Sequence, residues 1–163
     1  MEVLWAPWRM TYILDQDKPP GCIFCLATDG EGADGLVLGV SRSCVVMMNK
    51  YPYNNGHLLV SPCRHLADLS GLEHQEMGEL LYTVDRAIAV LREVMNPDGF
   101  NVGLNLGRVA GAGIEEHLHF HVVPRWNGDT NFMTVLGEVR SIPEHIRATH
   151  AKLKPHFAWM AQR

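Results

Sequence analysis

Hydrophobic and polar positions divide the chain into a first half of short β-prone runs and a second half that contains one long helical pattern. Residues 36–40 and 44–48 are apolar runs separated by a polar turn, which predicts a β-hairpin. The turn-forming residues 51–56 follow, and residues 57–60 predict a further strand that ends near Pro62. Sequential strands joined by short turns favour antiparallel pairing.

Apolar residues between positions 74 and 95 recur every three or four residues, which is the spacing of one face of a helix. They are Met77, Leu80, Leu81, Val84, Ile88, Leu91 and Met95. The helix is expected to end at the Asn-Pro-Asp-Gly sequence of residues 96–99, and residues 100–106 then predict a strand. A glycine-rich turn at residues 107–113 leads into the alternating residues 117–123.

The two ends of the chain are less regular than its middle. Residues 4–10 are aromatic and interrupted by proline, so we expect them to pack across the domain or a partner subunit. Trp5, Trp8 and Trp126 are accordingly expected to be packing or dimer residues. Residues 143–159 predict a helical tail that kinks or ends at Pro155.

Composition and charge describe an ordinary globular chain. The 163 residues are 47% hydrophobic and 20% charged, as in average soluble domains, so we expect one domain over residues 1–163. The formal net charge of −4 argues against a broad basic surface for long nucleic acid. No apolar run approaches the ~20 residues of a membrane span, and no segment resembles a secretory leader. We therefore expect a cytoplasmic protein that binds no membrane.

Three histidines, His117, His119 and His121, alternate with apolar residues. In a strand, this alternation turns all three imidazoles to one face and the intervening apolar side chains to the other. Three interpretations are open. The histidines are simply hydrogen-bonded or solvent-facing, or they bind a metal such as zinc, or one is a nucleophile whose neighbours set its tautomer and stabilise developing charge.

The glycine-rich turn before the histidines favours the nucleophile. Residues 105–113, Asn-Leu-Gly-Arg-Val-Ala-Gly-Ala-Gly, lack the lysine of a Walker motif, but their small side chains let backbone N–H groups approach an anion closely. A turn of this kind is weak evidence when it stands alone. Beside a row of imidazoles, it supplies the hydrogen-bond donors that a pentavalent phosphorus centre requires.

Cys22 and Cys25 form a Cys-x-x-Cys pair, which in a reducing compartment indicates metal or redox chemistry. A merely buried thiol pair is the remaining alternative. Cys44 and Cys63 are expected to be apolar filling. The histidines outside these motifs are expected to face solvent. They are His74, His145, His150 and His156.

Residues 117–123, His-Leu-His-Phe-His-Val-Val, match the His-x-His-x-His-x-x signature of the histidine triad superfamily, which the chain resembles. Other positions of the family's pattern occur in the same order over roughly residues 20–126. They are Asn49, residues 56–60, Pro62, His65, the long helix, Asn105 and the glycine-rich turn. Residues 124–133 and the aromatic N-terminus are similar to the bacterial branch related to diadenosine tetraphosphate phosphorylases.

The resemblance implies an α+β histidine-triad fold with about five antiparallel strands and two main helices, paired into a homodimer. The triad core then covers roughly residues 20–126 of the single domain, with an extension at each end.

The resemblance also implies the reaction. A dinucleoside polyphosphate, such as diadenosine tetraphosphate, is cleaved through a nucleotidyl-histidine intermediate on His119, which phosphate or water then resolves. His121 would hydrogen-bond the phosphate and the leaving oxygen, and His57 would line the same pocket. Hydrolysis of nucleoside phosphoramidates is the alternative within the family. A zinc-stabilised, nucleotide-binding regulatory module is the alternative from another class.

Nucleotide contacts follow from the same resemblance. Asn49 would lie against the ribose, and Asn105 with the backbone of Gly111, Ala112 and Gly113 would hold the phosphate oxygens. Many family members carry a Gln or Ser side chain where this chain has Ala112 and Gly113. Phosphate contacts at those two positions are therefore expected from the backbone alone.

Related triad proteins and the galactose-1-phosphate uridylyltransferases bind structural zinc with a cysteine pair and two histidines. The matching residues here are Cys22, Cys25, His65 and His117, and such a set suits tetrahedral Zn²⁺. On this interpretation His117 is a ligand that fixes the strand carrying His119. A zinc ion on all three triad histidines is a further alternative, but it leaves the two cysteines unexplained.

Overall fold

The computed structural model describes residues 21–29, 35–130 and 142–162, and these contain a five-stranded antiparallel sheet. The strands are β1 (Val37–Val40), β2 (Cys44–Met48), β3 (Leu58–Pro62), β4 (Gly99–Leu104) and β5 (Phe120–Arg125). Their order across the sheet is β1-β2-β3-β5-β4. The predicted hairpin is β1 and β2, and the α+β class with about five antiparallel strands is confirmed.

Helices precede, interrupt and follow the strands. They are α1 (Ile23–Thr28), α2 (His74–Met95) and α3 (Ile146–Leu153), with 3-10 segments at Leu69–Gly71, Arg108–Ala110 and Lys154–Gln162. Helix α2 has the predicted bounds. Helix α1 was not predicted, because its six residues are too few to show a helical period.

Helix α2 is well defined at both ends. At its start, the side chain of Glu76 accepts a hydrogen bond from the backbone N–H of Glu73 at 2.8 Å, which forms one half of a capping box. At its end, Asn96 adopts the left-handed conformation with φ of 47°, a common way to close a helix. The Asn-Pro-Asp-Gly sequence then turns the chain into β4.

The main core lies between one face of the sheet and helices α2 and α3. Alternate residues of β2, Val46 and Met48, pack there with Leu80 and Leu91 of α2. All four are at most 2% exposed, and burying a side chain of this size contributes roughly 1.5–3 kcal/mol. The long helix is therefore held to the sheet by its apolar face.

A second apolar cluster covers the opposite face of the sheet. It joins Phe24 and Ala27 of α1 to Val45, Met47 and Leu59 of the central strands. The central strands are consequently buried on both faces, and α1 lies on the face that does not carry α2.

The C-terminal tail closes the main core. Helix α3 ends at Leu153, and Pro155 lies in the following 3-10 segment, as expected. Phe157 is buried at 1% exposure. The expectation that His150 faces solvent is wrong, because its Nε2 lies 3.0 Å from the carbonyl oxygen of Val37 in a half-buried position. The tail thus holds on to β1 with polar as well as apolar contacts.

Residues 1–20 lie outside the described residues, and so do the packing predictions for residues 4–10, Trp5 and Trp8. Trp126 is half-buried and its Nε1 donates to the carbonyl oxygen of Asn96 at 3.2 Å, while its role in packing or in a dimer stays a prediction. One domain over residues 1–163 remains a prediction. In the described part of the chain, no helix combines the length and hydropathy needed to cross a bilayer.

Candidate active site and metal site

The three triad histidines lie where β5 begins. The sequence predicted a strand through residues 117–123, but β5 starts at Phe120 and contains only His121. The preceding segment bonds elsewhere, since the backbone N–H of Leu118 donates to the carbonyl oxygen of Leu66 at 2.6 Å. The imidazole rings of His119 and His121 are still neighbours, with centroids 5.0 Å apart.

His119 is buried and has a fixed tautomer. Its Nδ1 lies 2.8 Å from the carbonyl oxygen of His117. Because a carbonyl oxygen only accepts, Nδ1 carries the proton and the lone pair is on Nε2. Burial lowers the pKa of His119 and outweighs the hydrogen bond to His117, which raises it. The imidazole is therefore neutral near pH 7 and nucleophilic at Nε2.

His57 sets the tautomer of His121. The backbone N–H of Tyr53 donates to Nδ1 of His57 at 3.0 Å, so the proton of neutral His57 is on Nε2. That Nε2 lies 3.0 Å from Nδ1 of His121 and donates to it. Neutral His121 then carries its own proton on Nε2. The site therefore places a nucleophilic lone pair on His119 beside an N–H donor on His121.

The loop of residues 49–57 joins β2 to β3 and places His57. The side chain of Asn49 accepts a hydrogen bond from the backbone N–H of Tyr51 at 2.9 Å, and its amide nitrogen lies 3.4 Å from Nδ1 of His57. Gly56 has a φ of +73°, and a Cβ at this position would lie 2.6 Å from the sulfur of Met95. Only glycine fits this position without strain. Asn49 and His57 thus lie together, as expected for one pocket.

The glycine-rich turn begins directly after β4. Leu104 forms the last pair of β4 with Phe120, so Asn105 and His119 are the residues that directly adjoin this end of the pairing. The side-chain amide of Asn105 donates to the carbonyl oxygen of Gly111 at 3.4 Å. Gly111 has a φ of 92°, in the left-handed region that favours glycine. Asn105 therefore helps to fix the shape of the turn through its hydrogen bond to Gly111.

The backbone amides of the turn are only partly available to an anion. The N–H groups of Gly111 and Ala112 donate to carbonyl oxygens within the turn, at 2.9 and 3.4 Å. The N–H of Gly113 donates to no acceptor among the residues that the structure describes. In this conformation, Gly113 is the residue among 111–113 whose backbone N–H is not already used within the turn.

Cys22, Cys25, His65 and His117 come together at the start of α1, and their ligand atoms all lie within 4.8 Å of one another. Sγ of Cys22 is 3.1 Å from Nδ1 of His117, and Sγ of Cys25 is 3.3 Å from Nδ1 of His65. In a tetrahedral zinc site with usual bond lengths, a sulfur and a nitrogen ligand are about 3.6 Å apart. The four residues therefore form a group that could hold a metal ion.

The surroundings of His117 also suit a metal ligand. Its Nε2 lies 2.8 Å from the carbonyl oxygen of Pro62, so the proton is on Nε2 and the lone pair of Nδ1 points at the two sulfurs. A carbonyl that orients a ligating histidine in this way is usual in metal sites. Burial is the main cause that lowers the pKa of His117, which favours the neutral ring that metal binding requires.

Two aromatic side chains complete the site and were not assigned a role from the sequence. Phe24 is fully buried, and its ring centroid is 5.0 Å from those of both His117 and His119. The ring of Tyr53 stacks on His121 with centroids 5.6 Å apart and planes 15° apart. The available signals were positional: Phe24 lies between the two cysteines, and Tyr53 lies four residues before His57.

A cleft of about 560 Å³ opens beside the glycine-rich turn, and its lining contains none of the three triad histidines. Its lining includes the carboxylates of Asp68, Glu115 and Glu116. Like charges repel, so this lining is a poor environment for a polyphosphate.

The chain is similar to known proteins in sequence and in fold. The HIT domain family model matches residues 32–128. An AP-4-A phosphorylase of Mycobacterium tuberculosis is 39% identical over 166 residues, covering 97% of this chain and 85% of that protein. An adenosine 5'-monophosphoramidase of Schizosaccharomyces pombe is 27% identical over 127 residues, covering 78% and 91%. A Zn-bound histidine triad family protein from Mycobacterium smegmatis superposes with a TM-score of 0.69 at 26% identity, covering 85% of this chain and 94% of that one.

Proposed function

Because the chain belongs to the HIT domain family of histidine triad proteins, we propose that it cleaves dinucleoside polyphosphates through a nucleotidyl-His119 intermediate. The observation that carries the proposal is the lone pair on Nε2 of a buried, neutral His119 beside the N–H of His121. The similarity to an AP-4-A phosphorylase supports diadenosine tetraphosphate as the substrate.

The reaction has two displacements at one phosphorus atom. Nε2 of His119 attacks the phosphorus, a P–N bond forms, and the bond to the leaving polyphosphate oxygen breaks. The N–H of His121 hydrogen-bonds the phosphate and the leaving oxygen while charge develops. Phosphate or water then attacks the same phosphorus and loses a proton to solvent, and the P–N bond breaks. With phosphate as the acceptor, diadenosine tetraphosphate yields ATP and ADP; with water, it yields ATP and AMP.

The binding residues follow from the geometry around His119. Asn105 and the backbone of residues 111–113 would hold the phosphate oxygens, with Asn105 and Gly113 offering donors in the conformation described. Asn49 would lie against the ribose. His57 would act through His121, whose tautomer it sets. The fixed tautomers favour an enzyme over a regulatory binding module, which has no need for an oriented lone pair.

We also propose that the cysteine and histidine cluster binds structural Zn²⁺. Two thiolates and two imidazoles make a closed tetrahedral set with no open position for a substrate. The ion would cross-link α1 to the segment just before β5. It would thereby hold His117 in place, two residues before the nucleophile His119. A Zn-bound relative of the same fold supports the identity of the metal.

Nucleoside phosphoramidates are the second candidate substrate class. The same nucleophile would attack their phosphorus and expel an amine, and a phosphoramidase is among the similar proteins. The residues around the leaving group decide between the two classes. A side-by-side assay of both substrates measures the preference directly, and a higher kcat/KM for diadenosine tetraphosphate is expected.

Two copies of the chain are proposed to pair along β4 in the cytoplasm. Strand β4 is an edge of the sheet, and within the described residues no strand pairs with its outer side. Val102, in the middle of this strand, is 43% exposed. An exposed apolar edge favours pairing with a second copy. Light scattering should give a dimer for the wild type and a monomer for Val102→Lys; a monomeric wild type contradicts the proposal.

The reaction is tested by incubation with diadenosine tetraphosphate, with and without inorganic phosphate, followed by separation of the products. ATP and ADP formed only with phosphate identify a phosphorylase, and ATP and AMP formed without it identify a hydrolase. No nucleotide product under either condition contradicts the proposed function.

A further inference from the structure

The C-terminal helix α3 lies outside the residues that the family model matches, yet it contacts the loop that places His57. Thr149 of α3 is fully buried. Its hydroxyl oxygen lies 3.1 Å from Oδ1 of Asn55 and 2.7 Å from Oε2 of Glu144. Asn55 is only 8% exposed and comes two residues before His57. A buried polar cluster thus connects the tail to the loop.

The cluster is well anchored on the side of the tail. The carboxylate of Glu144 receives hydrogen bonds from Lys152 and Thr149. These bonds, from Lys152 first and then Thr149, lower the pKa of Glu144 and keep it charged near neutral pH. Hydrogen bonds to a charged acceptor are stronger than those between neutral groups. The hydroxyl of Thr149 has a single proton, so at any moment it bonds either Glu144 or Oδ1 of Asn55, while Asn55 itself hydrogen-bonds Glu144 and lowers its pKa. Thr149, Glu144 and Asn55 therefore form one polar cluster that ties the loop to the tail.

The same loop is anchored on its other side by Asn54. The side-chain amide of Asn54 donates to the carbonyl oxygen of Pro124 at 3.2 Å and to Asp129 at 2.7 Å. The backbone carbonyl oxygen of Asn54 accepts a hydrogen bond from the backbone N–H of His57 at 3.2 Å. The loop is consequently fixed between the end of β5 and the tail. The tail lies well outside the matched residues 32–128, and Asp129 lies one residue beyond them.

We propose that Thr149 is a positioning residue for the reaction, which holds His57 on His121 through Asn55 and the loop. The inference rests on the proposed function. Movement of the loop would lengthen the 3.0 Å hydrogen bond between Nε2 of His57 and Nδ1 of His121. His121 would then no longer be confined to the tautomer that offers its Nε2 proton to the phosphate.

The test compares three variants of the full chain with the wild type. Thr149→Val keeps the shape of the side chain and removes the hydroxyl, whereas Thr149→Ser keeps the hydroxyl. The control is Thr83→Val in α2, which removes another buried hydroxyl, one that donates to the carbonyl oxygen of Glu79 within its own helix at 2.8 Å. The two readouts are the single-turnover rate of nucleotidylation and the imidazole ¹⁵N NMR shifts of His57 and His121.

Thr149→Val is expected to slow nucleotidylation about 10- to 100-fold, the effect of a ~1 Å misplacement of reacting groups. KM should remain unchanged, and the ¹⁵N shifts of His57 and His121 should move. Thr149→Ser and Thr83→Val should match the wild type in both readouts. If Thr149→Val does not fold, Thr149→Ala, which places no methyl group against Glu144, must show the same losses.

Three results overturn the proposal: unchanged rates and ¹⁵N shifts in Thr149→Val, equal losses in Thr149→Ser, or equal losses in Thr83→Val. The NMR measurement needs no substrate, so it separates this proposal from the proposed function. A wild type that forms no adduct refutes the function, while the shifts of His57 and His121 still decide the role of Thr149.

Discussion

Substituting Cys22 removes one ligand of the metal cluster and should release the metal from the protein. By the chain-entropy relation for cross-links, a link between Cys22 and His117 closes a loop of 95 residues and stabilises the fold by about 4.7 kcal/mol. A link between Cys25 and His65 closes a loop of 40 residues and contributes about 3.9 kcal/mol. The two loops share one centre, so these values do not add. About 5 kcal/mol, slightly more than the larger loop alone, is therefore expected for the metal cross-link as a whole.

A loss of this size should be easy to measure. At about 2–4 °C per kcal/mol for a chain of this length, the Tm of Cys22→Ser should fall by about 10–20 °C. Metal content by mass spectrometry should fall from one ion per chain to none. A chelator should lower the Tm of the wild type and leave that of Cys22→Ser unchanged, because the variant has no metal left to lose.

Cys63→Ser is the matched control for the loss of a thiol. Burial raises the pKa of Cys63 to about 11, so this thiol stays protonated and is a poor metal ligand. Its metal content and Tm should match those of the wild type. The reasoning is refuted if Cys22→Ser retains stoichiometric metal, or if it loses the metal without any change in Tm.

Two further perturbations test the scaffold of the site. Asp129→Asn removes the carboxylate bonded by Asn54 and Arg125, so denaturant unfolding at pH 7 should show a loss of about 1–3 kcal/mol. The hydrogen bond from Arg125 is the main cause that lowers the pKa of Asp129 below its ordinary 3.8. The difference in unfolding free energy between wild type and variant should therefore persist above pH 3.8 and shrink as the pH falls further. A difference that stays constant with pH contradicts the assignment. Gly56→Ala should cost at least about 1–2 kcal/mol for its positive φ and lower nucleotidylation; an unchanged Tm contradicts it.

The sequence predicted those parts of the fold that repeat a local period. Helix α2 has seven apolar residues at helical spacing, and its observed bounds, His74–Met95, are the predicted ones. The hairpin of β1 and β2 follows from two apolar runs and a turn. Helix α1 has only six residues and no visible period, so nothing in the sequence distinguished it from a loop.

The candidate site was predictable in its composition and not in its geometry. The spacing of the histidines pointed to a shared face, but the segment before β5 is held by side-chain and loop contacts rather than by the sheet. The hydrogen bond between His57 and His121 depends on the register in which Leu59 pairs with His121. Thr149 and Asn55 are 94 residues apart, and no local pattern links two such positions.

The central claim is a covalent adduct on His119, and peptide mapping by mass spectrometry tests it most directly. Wild-type protein mixed with diadenosine tetraphosphate and no phosphate should carry AMP on the peptide that contains His119, and added phosphate should release it as ADP. His119→Asn should form no adduct and lose at least ~10³-fold in turnover, because the covalent pathway is removed. Turnover without an adduct, an adduct on another residue, or a tenth of wild-type activity in His119→Asn would contradict the account.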